Sequence, residues 1–212
     1  MKLYREKNTR LLCREGTLDE YVVKEQSSYR SLFDLCKGKT VLDIGGNIGA
    51  FAYEALKAGA ERVVSFEPDP DNASLYRKQG LGSTLVQEAI SMKSGTAKLF
   101  VNSGKNKGMH SLQEIQGREF IVVRTYPLYK AIKKYSPQVL KIDIEGGEYS
   151  LNLDHIPESV EAIAIEIHLN HADNRERGKA LIQSLRRQFP KVLKEPNITD
   201  KNWTTLFIGV RE

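Results

Sequence analysis

The stretch TVLDIGGNIGAF, residues 40 to 51, constrains this chain more than any other. An apolar run ends at Asp43 and Ile44, and Gly45, Gly46, Asn47 and Gly49 follow directly. Phe51, Ala55 and Ala58 then recur at helical spacing as far as Gly59. The pattern predicts a buried strand, a tight turn and a helix. Glycine supplies the positive φ and the close backbone approach that such a turn needs. A strand that turns this sharply into a helix belongs in an open α/β sheet, where ligands bind beyond the carboxyl ends of the strands.

The unit repeats. RVVSFEP reads as a second strand closed by Pro68, and DPDNASLYRKQG as a helix with acids in its first turn and Gly80 at its end. TLVQEAI and TAKLFV, separated by a turn composition, predict a third strand with an antiparallel excursion, which EFIVVRT extends. Pro127 opens a short helix. PQVLKIDIEGGE gives a fourth strand, VEAIAIEIH a fifth, a helix spans Asn174 to Gln188, and WTTLFIGV is a last strand. The alternation predicts a mostly parallel sheet with helices on both faces and right-handed crossovers. Residues 1–38 read as a polar, partly helical cap, residues 39–212 as one globular domain, and the glycine- and lysine-rich residues 102–111 as a mobile loop.

Composition removes several classes. With 40% hydrophobic and 28% charged residues the chain is not a disordered one. The net charge of +5 is scattered, which favours anionic partners only weakly. Cys13 and Cys36 stand alone, without metal-ligand or disulfide-framework spacing. No apolar run reaches the length of a signal or membrane segment, so the expectation is a cytoplasmic protein without membrane insertion.

The glycines do not follow the G-x-G-x-x-G dinucleotide pattern, and Asp43 beside a pyrophosphate would repel it. An acid there suits a cation. S-adenosylmethionine carries an ammonium and a sulfonium and no phosphate, so Gly45, Gly46, Asn47, Gly49 and Phe51 are expected to cradle its methionine end, with Asp43 answering the ammonium. Glu67, followed by Pro68, ends the second strand where both ribose hydroxyls can be bound, and Glu88 and Ala89 stand where an adenine edge can be read.

Taken together, VLDIGGNIGAF, VVSFEPDP, EAISMKSGTAKLFV, LKIDIEGGE and IAIEIH resemble the FkbM family of class I methyltransferases over roughly residues 20 to 170. One departure is GGN where relatives read Gly-Ala-Asn. The resemblance implies a Rossmann-like fold with a seven-stranded sheet, S-adenosylmethionine as donor, and O-methylation of a sugar or glycan, for example a deoxysugar such as rhamnose. Association or fusion with a glycosyltransferase is a further expectation for its partners.

Alignment of an acceptor hydroxyl and removal of its proton fall to the fourth and fifth strand ends. Period 2 places Lys141, Asp143 and Glu145 on one side of the fourth strand and Glu166 and His168 on one side of the fifth. With the strands in register, Lys141 faces Glu166 and Asp143 faces His168. In one version His168, oriented by Asp143, is the base and Lys141 with Glu166 a buried pair. In the other, Asp143, Glu166 and His168 hold a divalent cation, magnesium or manganese, that acidifies the hydroxyl. Glu148 reads equally as a cap for the next turn. Lys105, Lys107, Met109, His110 and Ser111 are expected to fold over the acceptor, the lysines meeting an anionic group. DIEGGE lacks the Pro-Pro-aromatic signature of base N-methylation, and HLNHADNR lacks the lysine of a ribose-methylating tetrad, so nucleic acid is a disfavoured partner. A non-catalytic cofactor-binding module is the remaining alternative.

Overall fold

The computed structural model describes residues 2–102, 104–107, 109–169, 173–199 and 201–212. The first elements are a hairpin of β1 (Leu3–Arg5) and β2 (Leu12–Arg14), then α1 (Asp19–Glu25), a 3₁₀ turn (Gln26–Tyr29) and α2 (Arg30–Phe33). β3 (Thr40–Ile44), α3 (Ala50–Lys57), β4 (Arg62–Phe66) and α4 (Pro70–Gln79) form the repeated unit read from the sequence. β5 (Thr84–Val86), β6 (Ala89–Ser91), β7 (Gly95–Phe100), β8 (Phe120–Pro127) and α5 (Leu128–Tyr135) follow. The remainder comprises β9 (Val139–Ile142), a 3₁₀ turn (Gly147–Ser150), β10 (Ala162–His168), α6 (Asn174–Gln188), β11 (Lys191–Lys194) and β12 (Thr204–Val210).

Seven strands make one sheet in the order β11-β12-β10-β9-β3-β4-β5, parallel except for β12. From β3 the chain steps outward to β4 and β5, then returns to β9 on the other side of β3. The order therefore reverses between β3 and β9, and a crevice opens at their carboxyl ends. β3, β9 and β10 are almost continuously apolar because both faces are covered. Leu42, Ile44, Leu140, Ile142 and Ile163 pack on one face, and Val41, Val139, Ala162 and Ala164 on the other, against Phe51 and Tyr29. α4 begins as its sequence demands: the Asp69 carboxylate accepts from the Asn72 amide at 2.8 Å and Pro70 fills the first position.

Three features depart from the sequence reading. The N-terminal segment carries a hairpin as well as helix. The excursion is a separate three-stranded sheet, β6-β8-β7, because the chain leaves the main sheet after Val86. β11, four residues long and flanked by lysines, is an edge strand too short to leave a periodic signal. No helix among the described residues is long and apolar enough to cross a membrane.

Candidate functional site

The floor of the crevice is the turn between β3 and α3. Gly45 has φ +86°, and a Cβ there would lie 1.8 Å from the Asp143 carbonyl oxygen, so only glycine fits between β3 and β9. The amides of Gly45 and Gly46 both donate to the Phe66 carbonyl, at 3.0 and 2.9 Å, which ties the turn to β4. Asn47, at φ +46°, donates its amide to Glu67 Oε2 at 2.8 Å, and the Asp69 amide donates to Oε1 at 2.8 Å. Burial pushes the Glu67 carboxyl up to about 7 although these amides pull the other way.

Asp43 is fully buried and does not reach the crevice. Lys141 Nζ lies 3.2 Å from its Oδ1, and Ser65 Oγ donates to its Oδ2 at 2.8 Å. Burial works against the Lys141 charge, but Asp43 and Asp143 more than offset it and hold the ammonium above its usual range. The expectation that Asp43 meets a cofactor ammonium is thus corrected: its charge is already answered inside the protein. The ammonium it answers also donates to the Gly45 carbonyl at 2.8 Å, so the pair supports the turn from beneath.

A partly open cleft of about 900 Å³, the solvent at its mouth included, runs above this floor. Of the predicted cofactor residues, Gly45, Asn47, Glu67, Pro68 and Ala89 line it. Gly46, Gly49, Phe51 and Glu88 stand behind. A Cβ on Gly46 would meet Ser65 Cβ at 2.9 Å and one on Gly49 would meet Leu81 and Tyr76, so both glycines serve packing. Phe51 stacks with Tyr29 and Phe33 at ring separations of 5.5 and 5.1 Å, and Glu88 turns to Arg124 at 3.3 Å. Apolar Ile90, Leu99 and Leu112 complete the wall beyond Ala89.

At the other end the acids gather. Ala164 pairs with Lys141 and Ile165 with Ile142, which brings Glu166, not His168, level with Asp143. The predicted register is therefore off by two residues, and Lys141 turns to Asp43 and Asp143 rather than to Glu166. Glu166 accepts from the Tyr29 hydroxyl at 3.3 Å instead, and burial raises its carboxyl to about 7. His168 reaches back even so: its Nε2 is 3.3 Å from Glu145 Oε2 and 3.9 Å from Asp143 Oδ1. Its Nδ1 is 3.2 Å from Glu148 Oε1. Burial disfavours a charged imidazole, but hydrogen bonds to Glu145 and Glu148 outweigh it and lift His168 well above its ordinary value. Held so, His168 is a poor proton acceptor near neutrality, against the role expected for it. Glu148 is fully buried and takes the amides of Gly146 and His168 at 2.9 and 2.8 Å, so it is an internal cap.

One wall of this end escaped the sequence reading. Tyr21, Val22 and Glu25 of α1 line the cleft, placed by a buried Arg14–Asp19 ion pair of 2.8 Å that also holds Asn72. A seven-residue helix rich in charge carries no signal that separates this from a solvated face. The glycine- and lysine-rich loop folds over the cleft by its backbone: the Leu18 amide donates to Lys105 O at 3.0 Å and Asn72 Nδ2 to Lys107 O at 3.0 Å. Ser111 Oγ donates to Glu145 O at 2.6 Å, and His110 joins the wall. Ser103 and Gly108 of this loop lie outside the described residues, as do Asn170, His171 and Ala172 beyond β10. Among the described residues, none that lines the cleft is lysine or arginine, so the loop lysines are not placed as expected.

The sheet order, with its reversal above the glycine turn and an acid closing the second strand, is that of the class I, Rossmann-like fold of S-adenosylmethionine-dependent methyltransferases. Over residues 43–192 the sequence matches the family described as the methyltransferase FkbM domain, and the chain belongs to that family. A comparison with curated protein sequences finds no match. The fold is similar to a SAM-dependent methyltransferase from Agrobacterium tumefaciens, 12% identical with a TM-score of 0.54, covering 100% of this chain and 71% of that one. It is also similar to precorrin-6y C5,15-methyltransferase from Geobacter metallireducens GS-15, 12% identical with a TM-score of 0.52, covering 99% and 93%.

The residues present fit the cofactor. Asn47 Oδ1 is buried without a hydrogen-bond partner, and the Glu67 carboxylate faces the cleft with room for donors besides its two amides. Glu67 would hold the ribose hydroxyls, Asn47 and Gly45 the methionine end, and Ala89, Ile90 and Leu99 the adenine.

Proposed function

We propose that the protein methylates a hydroxyl of a sugar or glycan. S-adenosylmethionine supplies the methyl group on a positively charged sulfur. The observation that carries the reading is the acceptor end of the cleft, where Glu25, Asp143, Glu145 and Glu166 present carboxylates and no lining lysine or arginine stands among the described residues. Carboxylates accept hydrogen bonds from the hydroxyls of a neutral polyol, and fix its orientation for in-line attack. An end lined by acids, with no lysine or arginine among its described lining residues, offers a phosphate no cationic partner, which counts against RNA and against a nucleotide-sugar. The divalent cation expected in one version belongs with a hydroxyl acceptor, because Lewis acidification serves an alcohol that is a weak nucleophile. Two buried, unpaired cysteines fit a reducing, cytoplasmic setting.

The test is methyl transfer from labelled S-adenosylmethionine to neutral sugars and glycosides, beside nucleotide-sugars and RNA. Transfer to a neutral sugar with none to RNA is expected. Transfer to RNA would overturn the neutral-sugar reading, and transfer to amines alone would overturn the hydroxyl reading.

A further inference from the structure

We propose that Asp143, Glu145 and His168 bind a hard divalent cation, manganese or magnesium, at the acceptor end of the cleft. What the cation does rests on the hydroxyl acceptor above, but its binding does not. One ligand atom from each residue lies within 4.8 Å of the other two. Nε2 of His168 is 3.3 Å from Glu145 Oε2 and 3.9 Å from Asp143 Oδ1. Adjacent ligands of an octahedral cation, each at about 2.1 Å, stand about 3.0 Å apart, so the two His168 separations exceed the ideal by under an ångström.

Glu148 gives the cluster its direction. It is fully buried, pinned by two backbone amides, and holds His168 Nδ1 at 3.2 Å. A carboxylate on one ring nitrogen fixes that proton there and turns the lone pair of the other outward, which is how metal-ligating histidines are held. Here that nitrogen, Nε2, faces two carboxylates, and the His168 side chain is only 3% exposed. A metal ion bound there displaces the proton that Nε2 otherwise carries toward them. Lys141, 3.6 Å from Asp143 Oδ2, neutralises the other oxygen of that carboxylate and leaves Oδ1 toward the cluster.

The donors choose the metal. Two carboxylates and one imidazole are hard to borderline ligands, and both cysteines are buried elsewhere, so thiol-seeking metals are not favoured. The single imidazole prefers manganese to magnesium. Asp143 and Glu145 line the cleft, so the open positions of the cation point to where an acceptor hydroxyl enters. This triad replaces the Asp143, Glu166, His168 set read from the sequence, because the register gives Glu166 to Tyr29.

The test is titration of chelator-treated protein, saturated with S-adenosylhomocysteine, with MnCl₂, free Mn²⁺ being read by electron paramagnetic resonance. One Mn²⁺ per chain is expected, displaced by MgCl₂ in excess. Glu145→Gln weakens it at least tenfold and Glu148→Gln about ten- to hundredfold, with S-adenosylhomocysteine affinity kept. If Glu148→Gln does not fold by circular dichroism, the partly exposed Glu145→Gln decides alone. No Mn²⁺ bound by the wild type, as when a proton holds Nε2, overturns the site, and so does binding indifferent to Glu145→Gln. Bound Mn²⁺ without transfer to any sugar would instead sink the acceptor reading and leave the site standing.

Discussion

Lys141 Nζ lies 3.2 Å from Asp43 Oδ1 beneath the glycine turn, with both side chains out of solvent. Removing one partner leaves a buried charge with its attraction gone, so Lys141→Met or Asp43→Asn is expected to cost about 3–5 kcal/mol. The double variant Asp43→Asn with Lys141→Met should cost less than the two single losses added. Urea unfolding midpoints check this, and additive losses would show that the pair is not coupled.

Glu67 predicts two opposed pH effects. Its carboxyl is raised by burial to about 7, above its unfolded value. A raised carboxyl adds stability that is complete below the unfolded value near 4.5 and is lost as pH rises through about 7. The ligand-free protein should therefore lose stability between these limits, and Glu67→Gln should flatten that slope. Ribose hydroxyls donate to the ionised form, so S-adenosylhomocysteine affinity should rise from pH 6 to 8. Calorimetric binding that is flat with pH would remove Glu67 from the ribose.

Gly45 predicts a backbone requirement rather than a chemical one. Alanine there would place Cβ 1.8 Å from the Asp143 carbonyl at a φ of +86°. Either the turn or β9 must move, and the strain falls in the range of severe single substitutions, above about 4 kcal/mol. Thermal unfolding of Gly45→Ala checks it. A melting temperature within about 2 °C of wild type would mean that the sheet gives at this point.

The parts of the fold that could be read were those governed by local rules. The glycine turn, the Asp69 cap with Pro70, and the alternation of buried strands with helices all speak within a dozen residues. The site split along a different line. Glu67 and Asn47 were legible because a strand end and a turn place them directly. Asp43 was misplaced because sequence shows that an acid is present but not that Lys141, far along the chain, neutralises it. The β9–β10 register was missed by two because both strands are apolar on both faces and nothing local fixes their offset. Tyr21 and Glu25 were invisible because only the Arg14–Asp19 pair, a tertiary contact, brings α1 to the cleft.

That last wall yields a prediction about acceptor recognition. Tyr21 lines the cleft yet is 63% exposed, and Glu25 follows it one turn later on α1, raised by burial and the nearby Asp143 to about 8. An exposed ring beside a carboxylate suits the apolar face and the hydroxyls of one sugar ring. The Tyr21 ring has little to lose in folding, so Tyr21→Ala should leave stability within about 0.5 kcal/mol. Removing an aromatic contact of about 1 kcal/mol should raise the acceptor KM roughly fivefold while the KM for S-adenosylmethionine stays put. If the cofactor KM rises and the acceptor KM does not, α1 covers the donor, and the acceptor enters from the side of His110 and the loop.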